Sequence, residues 1–163
     1  MNKVILIVAY DLKYGIGNAG DLIYQLNGDL KRFKTLTTGH TVVMGRKTWE
    51  SLPKKLPIRR NVVLSSVPQE GADVNVSSVE EVLALDGTVY IIGGASLYEQ
   101  FLPHADQLEI THIQDLREAD TTVAFFATAL LEFELVEESV NSDIDKKTKQ
   151  VVVTQYQTYK RRT

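Results

Sequence analysis

The hydrophobic and polar positions of the chain follow two rhythms. Val4 to Ala9, Thr41 to Met44, Asn61 to Leu64 and Val89 to Ile92 are short, β-branched runs with few polar breaks, the pattern of strands covered on both faces. Val74-Asn75-Val76 predicts a shorter strand and Gln107 to Ile113 another. Helical spacings lie between these runs. Leu26, Leu30, Phe33 and Leu36 fall at steps of four, three and three, which predicts a helix with one apolar face, ending near Thr38-Gly39. Ser78-Val79-Glu80-Glu81 has the form of a capping box before Val82 and Leu83, with Gly87 as a stop. Leu97, Tyr98, Phe101 and Leu102 predict a further helix, closed by Pro103. Phe133 to Val140 and Gln150 to Tyr159 alternate more strictly, and Asn141-Ser142-Asp143 predicts the turn of an antiparallel hairpin. The order strand, helix, strand, helix predicts an α/β fold, a largely parallel sheet with helices on both faces and the hairpin at one edge.

One polar residue breaks the helical pattern. Asp29 lies three positions from Leu26 and four from Phe33, on the apolar stripe, whereas Lys31, Arg32 and Lys34 fall outside it. A carboxylate on a buried face is costly unless something pairs with it, and a ligand is one such partner. The plainer alternative is that Asn27 caps the helix and Asp29, in the first turn, complements the helix dipole.

Composition narrows the field. At 163 residues the chain has the size of one domain with a full core. It contains no cysteine, and its His40, His104 and His112 are scattered, so neither a disulfide framework nor a metal site is expected. A net charge of −3 gives no general case for nucleic-acid binding. The apolar start is too short for a membrane span and lacks a cleavage signal, so a cytoplasmic protein is expected.

In sheets of this kind ligands bind beyond the carboxyl ends of the strands. There the chain places Gly45-Arg46-Lys47-Thr48, Ser65-Ser66 and Gly93-Gly94-Ala95-Ser96. Glycine turns opening helices, with cations and hydroxyls, suit a ligand with several phosphates, although each alone is also an ordinary strand-to-helix turn. Gly15-Ile16-Gly17-Asn18-Ala19-Gly20 matches the dinucleotide fingerprint only in letters: Asp11 to Tyr14 separate it from the strand and Ile23-Tyr24-Gln25 from the helix, where the fingerprint needs a tight turn between them. Arg46 stands where an NAD site would keep an acid, which favours a 2′-phosphate and hence NADP. Arg46, Lys47, Lys54, Lys55, Arg59 and Arg60, against the single acid Glu50, form a basic stretch able to steer small anions.

Several longer segments together resemble the dihydrofolate reductase family. These are Gly45-Arg46-Lys47-Thr48-Trp49-Glu50-Ser51-Leu52, Leu56-Pro57-Ile58-Arg59-Arg60-Asn61, Leu64-Ser65-Ser66, Ile92-Gly93-Gly94, Tyr98-Glu99-Gln100-Phe101-Leu102-Pro103 and Leu108-Glu109-Ile110-Thr111-His112-Ile113. The resemblance runs nearly end to end. It implies a single domain over 1–163 with a mostly parallel eight-stranded sheet, NADPH as cofactor, 7,8-dihydrofolate as substrate, and a monomer with no nucleic-acid or membrane partner. On that likeness Asp29 is the catalytic carboxylate that holds the pterin. The likeness also makes catalytic residues of Leu22, in the loop that closes over the nicotinamide, and of Tyr24, at the place of a Trp that helps position a water near the pterin. Ile7, Ala9, Leu30, Phe33, Leu52, Leu56, Ile92 and Tyr98 line the substrate pocket, Arg59 takes the glutamate α-carboxylate, and Thr111 bonds Asp29. Ala9, Ile16, Asn18, Gly45, Arg46, Lys47, Thr48, Leu64, Ser65, Ser66, Ile92, Gly93, Gly94, Ala95, Ser96, Leu97 and Tyr98 contact the cofactor, and a cis peptide joins Gly93 to Gly94. No metal is implied.

The chain departs from the family pattern at several points. Ile23-Tyr24 replaces the usual Pro-Trp of bacterial members, and Ser77 and Ser96 stand where Lys and Arg often assist the phosphates. Val123-Ala124-Phe125-Phe126 replaces the usual Phe-Pro after Asp120-Thr121. Two rivals remain at this stage. Another pterin or pyrimidine reductase of the same fold would have no need of Arg59, and a non-catalytic nucleotide-binding module would have no use for Asp29.

Overall fold

The apolar runs become strands and the periodic stretches become short helices in the computed structural model, which describes residues 2–163. In chain order these are β1 (Lys3–Tyr10), β2 (Gly15–Asn18), β3 (Asp21–Leu22), α1 (Asn27–Thr37), β4 (Thr41–Gly45) and α2 (Arg46–Ser51). Next come β5 (Arg60–Leu64), β6 (Val74–Val76), α3 (Val79–Leu83), β7 (Thr88–Gly93) and α4 (Ala95–Phe101). The chain finishes with β8 (Gln107–Ile113), β9 (Thr121–Thr122), α5 (Phe126–Ala129), β10 (Phe133–Ile144) and β11 (Val151–Arg161). Eight strands form one sheet in the order β10-β11-β8-β1-β7-β4-β5-β6. The pairs β1·β7, β7·β4, β4·β5 and β5·β6 are parallel, while β10·β11 and β11·β8 are antiparallel. The sheet is therefore the expected mixed one, with its antiparallel strands at one edge.

The chain divides into two compact units. The first comprises residues 1–6 and 36–106, the second residues 7–35 and 107–163, so β1 contributes to both. In the first unit Val42, Val43, Met44, Val62, Val63, Val89 and Ile91 are essentially inaccessible, as expected for parallel strands covered on both sides. In the second, Leu108, Ile110, Phe126 and Phe133 fill the core. A separate cluster of Ile23, Tyr24, Leu26, Ile113 and Val152 packs the segment that leads into α1. The edge strand β10 carries Glu134, Glu137 and Glu138 and a register shift between Leu135 and Glu137; charges and a bulge both discourage another strand from adding there.

Three details differ from the sequence reading. With Gly15, Gly17 and Gly20, the stretch from Tyr10 to Gln25 reads as a long loop, but β2 and β3 form within it, and β2 pairs with both β3 and β9 in a small three-stranded sheet. Such short, glycine-rich strands depend on a partner about a hundred residues away rather than on local pattern. The hairpin turn is also displaced: Asn141, Ser142 and Asp143 lie within β10, and the chain reverses at 145–150. Finally, Asn27 is the first residue of α1 rather than its cap. The carboxylate at the helix N-terminus comes from Asp143, whose Oδ2 accepts from Gly28 N at 2.7 Å and Asp29 N at 3.2 Å. Gly28 is needed for that approach, since a Cβ there would lie 2.8 Å from Asp143 Oδ2.

Candidate active site

The first unit gathers its polar groups on one edge of the parallel strands. The register sets Gly45, the last residue of β4, beside Leu64, the last of β5, and Met44 beside Gly93 at the end of β7. Gly45-Arg46-Lys47-Thr48, Leu64-Ser65-Ser66 and Gly93-Gly94-Ala95 therefore lie side by side at the carboxyl ends. The Gly93–Gly94 peptide is cis. Gly93 has φ +122, and a Cβ on it would meet the Tyr98 hydroxyl at 3.3 Å, so both conformation and space call for glycine. Gly45 and Gly94 precede α2 and α4 without any side-chain cap, which leaves first-turn N–H groups able to meet an acceptor. Ala95, Leu97 and Tyr98 follow within α4, with Leu97 and Tyr98 buried. Ser96 is exposed and accepts from Gln100 Nε2 at 3.1 Å.

The cations of this unit are only partly neutralised. Arg46 pairs with Glu50 one helical turn on, at 3.0 Å, with both side chains half exposed; such a pair is weak and easily exchanged for a stronger anion. Lys55 pairs with Asp73 at 2.8 Å, and Asp73 is held below the usual carboxylate range chiefly by that hydrogen bond. Ser77 Oγ donates to Glu81 Oε1 at 2.8 Å, so its hydroxyl faces an acid. Arg59 is oriented from two sides: Nε donates to Pro57 O at 3.0 Å and Nη1 to Thr37 Oγ1 at 3.1 Å. Leu52, Leu56 and Ile92 are half-buried. An open hollow lined by His40, Arg59, Arg60, Asp86 and Thr88 lies at the opposite, amino ends of these strands.

The second unit carries the carboxylate. Thr111 Oγ1, on β8, donates to Asp29 Oδ1 on α1 at 2.6 Å. Burial raises the Asp29 carboxyl above its usual range; the Thr111 bond and nearby Arg32 oppose that shift, and Asp143 adds to it. Ile7 is buried, Ala9 and Phe33 are half-buried, and Leu30 is 49% exposed. The apolar stripe of α1 is thus only partly sunk in the core, which leaves aliphatic and aromatic surface beside the carboxylate. Ile16 is half-buried and Asn18 exposed on β2.

Leu22 and Tyr24 take different places from Asp29. Leu22 is 60% exposed on β3, and its carbonyl accepts from Lys147 Nζ. Tyr24 is buried, and its polar neighbours are Asp11, Asp115 and Arg117 rather than Asp29. Desolvation pushes its hydroxyl far above the ordinary tyrosine range, so it stays protonated. Arg117 organises this region: its guanidinium lies 4.1 Å from the centre of the Tyr24 ring, Nη1 donates to Ile23 O at 3.1 Å, and it forms an ion pair with the inaccessible Asp145.

Five charged residues here escaped the sequence reading. Arg32, placed there on the polar side of α1, turns its head inward to Glu109. Asp143 caps α1, and Arg117 and Asp145 hold the segment before it. Only Glu109 left a readable sign, because it shares the strand parity of Thr111 and so the same face of β8.

Comparison with known proteins shows the family and the fold. The profile of the dihydrofolate reductase family matches residues 3–161. A dihydrofolate reductase of Staphylococcus aureus is 43% identical over 145 residues, 87% of this chain and 89% of that protein. One of Bacillus subtilis is 41% identical over 123 residues, 72% and 73% of the two chains. The fold superposes on a dihydrofolate reductase of Enterococcus faecalis, solved with NADP(H) and the inhibitor RAB-propyl, with TM-score 0.85, 32% identity and 99% and 97% coverage. Sequence and fold agree over almost the whole length, and the chain belongs to the dihydrofolate reductase family.

Proposed function

We infer that the protein is an NADPH-dependent dihydrofolate reductase, which converts 7,8-dihydrofolate to 5,6,7,8-tetrahydrofolate by hydride transfer to C6 and protonation at N5. The observation that carries the reading is the Asp29 carboxylate of α1, desolvated and bonded by Thr111. NADPH supplies the hydride when bound. The glycine turns, Arg46, Lys47, Thr48, Ser65 and Ser66 form a donor set suited to its phosphates, with two helix starts free of a side-chain cap and no acid at the end of β4. Asp29 holds the pterin through its 2-amino group and N3. Its negative charge favours the protonated state at N5, with water as the proton donor. Arg59, held by Pro57 and Thr37, presents a planar fork to the glutamate α-carboxylate. The same reading makes the whole of residues 1–163 one domain, acting as a cytoplasmic monomer; the acidic, bulged edge at β10 supports the latter. The test is the loss of reduced-nicotinamide absorbance with NADPH and dihydrofolate together, and none when dihydrofolate is omitted.

Two outcomes follow from the cations. A charged hydrogen bond contributes about 1.5–3 kcal/mol, so contact of Arg46 and Ser66 with the 2′-phosphate favours NADPH over NADH by roughly ten- to a hundredfold in KM. Ser77, occupied by Glu81, and Ser96 place the expected value at the lower end. Equal KM values for the two cofactors would remove the role given to Arg46. Arg59→Lys cannot reproduce the two-pronged fork or its anchorage. KM for dihydrofolate should rise by roughly ten- to a hundredfold, again one charged hydrogen bond, while NADPH affinity stays near the parental value. If both ligands weaken alike, Arg59 supports the fold instead.

A further inference from the structure

Directly beside Asp29 lies an ion pair that the reaction as described does not use. On α1, Arg32 is three residues beyond Asp29 and so lies on the same side of the helix. On β8, Glu109 is two residues before Thr111 and shares its face. The two elements therefore meet through two parallel contacts: Thr111 Oγ1 to Asp29 Oδ1 at 2.6 Å, and Arg32 Nη2 to Glu109 Oε2 at 2.6 Å. The side chains of Arg32 and Glu109 are only 18% and 6% exposed. Strand β11 completes both rungs, pairing Tyr156 with Thr111 and Thr158 with Glu109. Thr158 Oγ1 donates to Glu109 Oε2 at 2.8 Å and Gln107 Nε2 to Oε1 at 2.8 Å. The Arg32 guanidinium lies 4.8 Å from the centre of the Tyr156 ring.

We infer that the Arg32–Glu109 pair is a positioning element for the proposed reaction: it fixes the side of α1 that carries Asp29 against β8, and its charges set the electrostatic potential at the Asp29 carboxylate. The inference rests on the catalytic reading of Asp29. Burying two charges is poor for stability, since well-packed apolar residues of the same volume do as well or better; a pair kept in that position acts on its neighbour. The groups facing Asp29 are Arg32 from its own helix, Thr111 from β8, Asp143 from β10 and Tyr156 from β11. Of these Arg32 alone is positive, and Glu109 holds it in place. The burial of Tyr156, followed by the charge of Asp29, raises the tyrosine hydroxyl above its ordinary range, so it adds no charge at neutral pH.

The sign of the effect makes the inference testable. Turnover falls at high pH as the site loses its proton, whether that proton sits on Asp29 or on substrate N5. Arg32→Met removes the positive neighbour and moves the midpoint of that fall upward by about one pH unit, the lower end of the scale of an adjacent opposite charge. Glu109→Gln leaves Arg32 unneutralised and moves it downward by a similar amount. Arg32→Lys keeps the charge and stays near the parent, and Arg32→Met with Glu109→Gln lies between the two single variants. The measurement is kcat against pH for each variant, with melting temperature and NADPH affinity recorded alongside. Should Arg32→Met fail to fold with Glu109 left buried and unpaired, Glu109→Gln and the double variant carry the comparison. Shifts of opposite sign support the inference. A common parental midpoint, whatever the change in melting temperature, reduces the pair to a structural contact and overturns it. Asp29→Asn serves as the reference: parental turnover there would overturn the role of Asp29 itself, whereas lost turnover with unmoved Arg32 and Glu109 variants would overturn the role of the pair alone.

Discussion

Asp29→Asn should lower turnover at neutral pH by about 10²–10⁴-fold, the scale of a lost contribution to proton transfer, while NADPH binding persists. The variant keeps the size of the side chain and an oxygen to accept from Thr111, and Asp143 still caps the helix. What disappears is the negative charge. Because burial raises the carboxyl's pKa in the fold, the ionised form costs stability, and that cost grows as pH rises through the folded pKa. Asparagine removes the cost, so the melting temperature at neutral pH should hold or rise. A helix-dipole role would give the reverse: activity intact and about 0.3–1 kcal/mol of stability lost. The parent should lose kcat at high pH with an apparent pKa above the free aspartate value of about 3.9. Acid should partly restore the variant, because solvent then protonates the substrate in advance. The two melting curves and the two kcat profiles separate these outcomes, and an active variant with a lowered melting temperature would return Asp29 to the dipole role.

Arg117→Met should have the largest effect on stability. It takes the cation from Asp145, which is fully inaccessible, and it strips support from Ile23 O and the Tyr24 ring. Removing one partner of a buried pair costs about 3–5 kcal/mol. At about 2–4 °C per kcal/mol for a chain of this size, the melting temperature should fall by roughly 10 °C. The pH dependence gives an independent check. Burial works to raise the Asp145 carboxyl, but backbone donors from Gln25 and Lys147 and the guanidinium of Arg117 outweigh it and hold it below the usual range. A depressed folded pKa contributes stability above the unfolded value, and that stability is lost as pH falls through the folded one. The parent should therefore lose stability through the acid range, and Arg117→Met should start lower and lose less there. A variant with parental melting temperature and an unchanged acid limb would show that the pair contributes nothing net.

What could be read from the sequence, and what could not, divides by the range of the interaction. The parallel strands were legible because their β-branched runs need only a cover on each face. Asp29 was legible because it breaks a local apolar spacing. Arg32 was placed on the polar side by that same spacing, and the partner that turns it inward, Glu109, lies 77 residues away on a strand. Asn141-Ser142-Asp143 has the composition of a turn, yet the polar side chain of Asp143 serves the N-terminus of another element. The contacts that hold Tyr24, to Asp11 and Arg117, are likewise ones that no local pattern encodes.

The cap that Asp143 supplies to α1 has a bearing on how the protein folds. The contact joins residues 115 positions apart, and the carbonyl of Gln25 and the amide of Lys146 meet across a similar span. Closing a chain segment of that length costs entropy before any contact repays it, and topologies rich in such closures fold slowly. Helix α1 is too short to persist alone in water. Until β10 docks, the Asp29 helix lacks its Asp143 cap, and until β8 docks it lacks the Thr111 contact, 82 residues away. Recovery of activity after dilution from denaturant should accordingly lag behind the burial of the parallel strands, with the Asp29 carboxylate among the last groups to reach its place.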